Sequence, residues 1–89
     1  MNITPELSRA IELLAEAKMH FLLATHTKPG SPERDREIQM LERCTDRARE
    51  CIASIGGRDK LPQHLAVALR VCEKGLERLG GPKAPEVQA

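Results

Sequence analysis

Two short motifs divide this sequence into helical segments. Thr4 precedes Pro5, and Ser31 precedes Pro32. A hydroxyl residue followed by proline is typical of a helix N-cap and the first helical position. A third start lies near Pro62, where Asp59 or Leu61 would serve as the cap. These signals predict three helices, over residues 5–27, 32–55 and 61–79.

Glycine and proline also mark where the predicted helices end. Residues 28–30 read Lys-Pro-Gly, residues 56–57 are both glycine, and Gly-Gly-Pro follows at 80–82. Glycine is common just after a helix C-terminus, and proline cannot continue a helix. We therefore predict a single helical domain over residues 1–81 and a flexible C-terminal tail over residues 82–89.

Apolar residues recur every three or four positions in each segment, which is the spacing of one helix face. In the first segment, this face comprises Ile3, Leu7, Ile11, Leu14, Phe21, Leu22 and Thr25. In the second, it comprises Ile38, Leu41, Thr45, Ala48, Ile52 and Ile55. In the third, it comprises Leu61, Leu65, Leu69, Cys72, Leu76 and Leu79. Because short connections make consecutive helices antiparallel neighbours, we predict an all-α fold, a small antiparallel three-helix bundle.

The apolar composition supports an all-α fold. The chain has no Trp, no Tyr and a single aromatic residue, Phe21. Its core must therefore be aliphatic, and the residues favoured in strands are scarce. A base-stacking platform for nucleic acid, which needs several aromatic faces, is disfavoured. With only 89 residues, the domain has a thin core, which dimerisation would complete.

Four aliphatic residues lie away from the predicted core faces and form a candidate protein interface. These residues are Met19, Leu23, Val67 and Val71. Gly75 continues the four-residue spacing of the last two, and glycine inside a helix costs about 1 kcal/mol relative to Ala. We expect another backbone to approach there, in a homodimer or a docking groove. The alternative is a wide core face with a few exposed aliphatic side chains.

A second candidate surface is an arginine stripe on the outer side of the second helix. We use this name for Arg36, Met40, Arg43 and Arg47. Arginine binds carboxylates and phosphates through paired hydrogen bonds, so the stripe is a candidate site for an acidic partner or for nucleic acid. Asp35, Glu42 and Asp46 lie on the flank of the same helix and dilute its charge. The alternative is a solvated charged face, with local ion pairs between Asp46 and Arg43 or Arg49.

No residue pattern indicates catalysis, a cofactor or a metal. The histidines, His20, His26 and His64, form none of the spacings of a zinc site. The sequence also lacks GxGxxG, GxSxG and P-loop motifs. The three cysteines, Cys44, Cys51 and Cys72, make a poor disulfide framework. We therefore expect a non-enzymatic protein without a cofactor or metal, in a reducing cytoplasm.

The sequence predicts a function in protein binding. The formal net charge of +1 gives no bias toward nucleic acid or anionic lipid, and we find neither a membrane span nor a signal peptide. We expect a small adaptor, chaperone-like partner or inhibitor that occupies the surface of a partner protein and itself forms a homodimer. An acidic protein is a candidate for this partner. The alternative is a nucleic-acid-associated regulator that uses the arginine stripe.

Overall fold

The protein is a three-helix bundle in a computed structural model that describes residues 4–80. Helix α1 spans Pro5–Thr25, α2 spans Pro32–Ser54 and α3 spans Gln63–Arg78, with one 3₁₀ turn at Arg58–Lys60. These elements confirm the predicted antiparallel three-helix bundle. Ile3 and the tail predicted over residues 82–89 lie outside the described residues.

Both hydroxyl–proline motifs start helices as predicted. The Oγ1 atom of Thr4 accepts a hydrogen bond from the Leu7 N–H at 3.0 Å. The Oγ atom of Ser31 accepts one from the Arg34 N–H at 3.1 Å. Each side chain satisfies a backbone donor that has no partner within the helix. The two motifs therefore fix where the two longer helices begin.

Helix α3 begins at Gln63, two residues after the predicted start at 61. Leu61 precedes a proline and is extended, with ψ of 144°, because the proline ring disfavours helical geometry in the preceding residue. Pro62 is also extended, with ψ of 147°. Its carbonyl accepts hydrogen bonds from the N–H groups of Leu65 and Ala66. Pro62 is therefore the N-cap residue of α3, and it contacts the helix through its carbonyl group.

Three alanines at seven-residue spacing lie on the inner side of α1, together with the buried leucines Leu7, Leu13 and Leu14. Ala10, Ala17 and Ala24 are each 0% exposed, and α1 packs mainly against α2. Leu22 is 50% exposed, so its predicted place on the buried face is wrong, and Thr25 is also exposed. The reason is angular: Leu22 follows Ala17 by five residues, or about 140° around the helix. The alanine row therefore lies within the buried side of α1, and Leu22 lies outside it.

The predicted apolar faces of α2 and α3 are confirmed. Of the six residues on the α2 face, Ile55 is half-buried and the others are buried. Thr45 lies among them with its hydroxyl donating to the Leu41 carbonyl at 2.7 Å, so the core contains no unpartnered hydroxyl at that point. On the predicted face of the third segment, Leu61 and Leu79 flank α3 and are half-buried, and the four face residues between them are buried.

An ion-pair network ties α3 to the end of α2. The Nε atom of Arg49 donates to a carboxylate oxygen of Glu73 at 2.8 Å, and Nη1 of Arg58 donates to the other at 3.0 Å. Arg49 also contacts Asp46 at 2.9 Å, an ion pair that the sequence predicted. The Arg58 hydrogen bond, supported by Arg49, lowers the pKa of Glu73 below its ordinary value.

This network predicts a pH-dependent contribution to stability. The carboxylate of Glu73 stabilises the fold above its unfolded-state pKa of about 4.5, and this contribution is lost as the pH falls through the lower folded-state pKa. We expect Glu73→Gln to lower the free energy of unfolding at neutral pH by about 0.5–1 kcal/mol. The difference from wild type should shrink in acid. Urea titrations at several pH values measure it.

The matched control for this prediction is Glu50→Gln on α2. Glu50 is exposed and forms no ion pair within residues 4–80, so its substitution should change stability less at neutral pH. Equal effects of the two substitutions at neutral pH would contradict a stabilising role for the network.

Candidate functional site

An apolar recess lies along the outer side of α3, where α3 meets α1. This recess, here called the α3 groove, has a volume of about 320 Å³. It is lined by Phe21, Val67, Arg70, Val71, Lys74, Gly75 and Arg78. Its lining is therefore apolar along the floor, and every charged residue that lines it is basic.

The floor of the α3 groove depends on one contact between α1 and α3. The ring of Phe21 lies over Gly75 so closely that a Cβ atom at Gly75 would be 2.7 Å from ring atom Cδ1. Gly75 is therefore required by the aromatic ring of the same chain. The ring accounts for glycine at this position within one chain, so the glycine does not by itself require another backbone to approach.

Because of this contact, we expect Gly75→Ala to change the free energy of unfolding in opposite directions when residue 21 is Phe and when it is Ala. Gly75→Ala should destabilise the wild type, because the gain of about 1 kcal/mol in helix propensity is outweighed by displacement of the ring. In a Phe21→Ala background, the same substitution should stabilise the fold by up to about 1 kcal/mol. A double-mutant cycle from urea unfolding measures the coupling. Stabilisation of equal size in both backgrounds would contradict the contact.

The four predicted interface residues are exposed but lie on two different surfaces. Val67 and Val71, 53% and 41% exposed, line the α3 groove. Met19 and Leu23, 50% and 45% exposed, lie on the outer side of α1 and are not among the groove residues. The structure therefore joins the two valines to Phe21, and leaves the α1 pair as a separate apolar surface.

Three basic residues of the α3 groove were missed by the sequence analysis. Arg70, Lys74 and Arg78 follow one another at four-residue spacing on α3, so they lie on one side of the helix. The signal was present in the sequence, beside the two valines that were selected. The sequence prediction of a basic surface rested only on the arginines of α2.

The arginine stripe lies apart from the α3 groove. Arg36, Arg43 and Arg47 are exposed, and Met40 is half-buried. They lie on the side of α2 opposite its buried face, and that face is packed against α1 and α3. Gln39, Glu42, Asp46 and Glu50 share a shallow surface depression with the last two arginines. The stripe is therefore a surface of mixed charge.

The cysteine thiols are poorly placed for chemistry. Cys44 and Cys72 are buried, and burial raises the pKa of both thiols. The Sγ atom of Cys44 lies 3.7 Å from a carboxylate oxygen of Glu16, whose charge raises the thiol pKa further. Both groups are therefore held in the protonated, less nucleophilic form at neutral pH. Cys51 is half-buried, and all three cysteines are free.

The histidines do not assemble a metal site in the described chain. The Nδ1 atom of His20 lies 2.6 Å from a carboxylate oxygen of Glu37, a contact that links α1 to α2. Within residues 4–80, no group of three or more His, Cys, Asp or Glu side chains is arranged to hold a metal ion. The His20–Glu37 pair is thus best understood as a link between helices.

Two further findings bear on function. None of the described helices combines the length and apolar character needed to cross a membrane. No protein-family model matches the chain, and no significant match was found among curated proteins or solved structures. A functional interpretation therefore has to start from the α3 groove and the surfaces around it.

Proposed function

We propose that this protein is a non-enzymatic protein-binding module that docks a helix of its partner in the α3 groove. Such a module would act as a small adaptor, chaperone-like partner or inhibitor by occupying the surface of the partner. The observation that carries the proposal is an exposed apolar recess, floored by Phe21 and Gly75, in which all the charged lining residues are basic.

The apolar part of the groove supports docking because its side chains are left in water. Val67 and Val71, which are four residues apart, are about half exposed. Each Å² of apolar surface that a partner removes from water contributes about 25 cal/mol to the free energy of binding. Apolar recesses rimmed by polar residues are typical of interaction sites. A groove along a helix fits the apolar face of an amphipathic helix, whose side chains recur every three or four residues.

The basic rim favours an acidic partner. Arg70, Lys74 and Arg78 extend for about two turns along the groove, so carboxylates at three- or four-residue spacing on a docked helix would lie opposite them. Such rim charges contribute mainly to specificity and to the rate of association. The arginine stripe of α2 supports a partner less well, because carboxylates share its surface.

Synthetic helical peptides test this proposal. One peptide carries leucines on one face with glutamates beside them, and the other carries lysines in place of the glutamates. We expect the acidic peptide to shift the amide resonances of Val71 and Gly75 in isotope-labelled protein, and the basic peptide to bind at least about tenfold more weakly. Shifts confined to the arginine stripe, equal binding of both peptides, or binding of neither would overturn the proposal.

A matched pair of substitutions locates the binding site. Val71→Asp places a carboxylate in the groove and should abolish binding of the acidic peptide. Leu22→Asp makes the same kind of change at an exposed apolar residue outside the groove, and should leave peptide binding unchanged. Circular dichroism checks that both variants remain helical.

A further inference from the structure

The outer side of α1 carries an acidic and apolar stripe. It consists of Glu12, Glu16, Met19 and Leu23, which are separated by steps of four, three and four residues. All four side chains are exposed, and the stripe lies away from the alanine row that faces the core. The spacing is that of a helix seam that packs against another helix. We call this surface the acidic stripe of α1.

The outer side of α3 carries a complementary stripe with the same spacing. It consists of Val67, Val71, Lys74 and Arg78, again separated by steps of four, three and four residues. All four are exposed and all four line the α3 groove. We call this surface the basic stripe of α3. It places apolar residues in the first half and basic residues in the second half.

The two stripes match residue by residue when their helices run antiparallel. The pairs are then Glu12 with Arg78, Glu16 with Lys74, Met19 with Val71, and Leu23 with Val67. Each carboxylate meets a cation and each apolar side chain meets another, over about 16 Å of helix. In a parallel alignment, the glutamates would instead meet the valines. The pattern therefore selects one direction.

This pairing requires two molecules. Within one bundle, α1 and α3 both run antiparallel to α2 and are therefore parallel to each other, and both stripes face outward. The charges that the pairing uses are also accessible. Lys74 and Arg78 form no ion pair within the described chain, and the pair between Glu12 and Arg9, at 3.2 Å, is exposed and weak. The side chain of Glu16 is exposed and accepts only the long 3.7 Å hydrogen bond from the Sγ atom of Cys44.

We propose that the α3 groove binds the acidic stripe of α1 from a second copy of this chain. The inference rests on the docking groove of the proposed function and adds its occupant. Because the contact joins two different surfaces, each copy retains one unused stripe, and further copies can add unless the assembly closes. A foreign acidic helix would then compete with self-association for the same groove.

Two charge-reversed variants test the pairing. The first is Lys74→Glu with Arg78→Glu, and the second is Glu12→Lys with Glu16→Lys. We expect each alone to self-associate about tenfold or more weakly than wild type, because like charges face each other in every contact. Mixed in equal amounts, they should associate again, because each contact between different variants restores opposite charges. Sedimentation equilibrium at several concentrations measures both effects.

The matched control is Arg43→Glu with Arg47→Glu on α2, which has the same spacing and charge change outside either stripe. It should self-associate like wild type, and circular dichroism should show that all variants are helical. A wild type that stays monomeric, or a mixture that does not associate, overturns the inference. If the acidic peptide still shifts the groove resonances in that case, the proposed function stands and only the second copy as occupant is lost.

Discussion

The close packing of α1 on α2 through alanine is the constraint on which the rest of the structure depends. Ala10, Ala17 and Ala24 are fully buried on the inner side of α1, where they lie among three buried leucines, Leu7, Leu13 and Leu14. Leu22 and Leu23 lie on other sides of the same helix and are about half exposed. Helix α1 therefore has a buried side that forms the core and a further apolar surface that the bundle leaves exposed.

The α3 groove depends on how one large side chain packs between α1 and α3. Phe21 is the one aromatic side chain of the chain, and the bundle accommodates its ring at the seam between α1 and α3 by having glycine at position 75. The ring then extends the apolar surface of Val67 and Val71 across both helices. Basic residues on the next rows of α3 give this surface a positive charge.

The sequence predicted what depends on local contrast and missed what depends on how helices meet. The Thr4 and Ser31 caps and the buried face of α2 were predictable, because caps and an apolar stripe among charged residues are visible in one segment. Placing Leu22 on the core face failed because alanine carries a weak hydrophobic signal, so the row at 10, 17 and 24 did not stand out. The partner of Gly75 is a ring from another helix, which no local pattern reveals.

Size-exclusion chromatography of the wild type, with light scattering and absorbance at 260 nm, tests the central claim most directly. The chain has no Trp or Tyr, so absorbance in its peak at that wavelength reports bound nucleic acid. If the α3 groove binds helix α1 of a second copy, the mass rises above that of a monomer with increasing concentration and the peak has no such absorbance. A monomer at every concentration, eluting with absorbance that disappears at high salt, would contradict the account and assign the function to the arginine stripe.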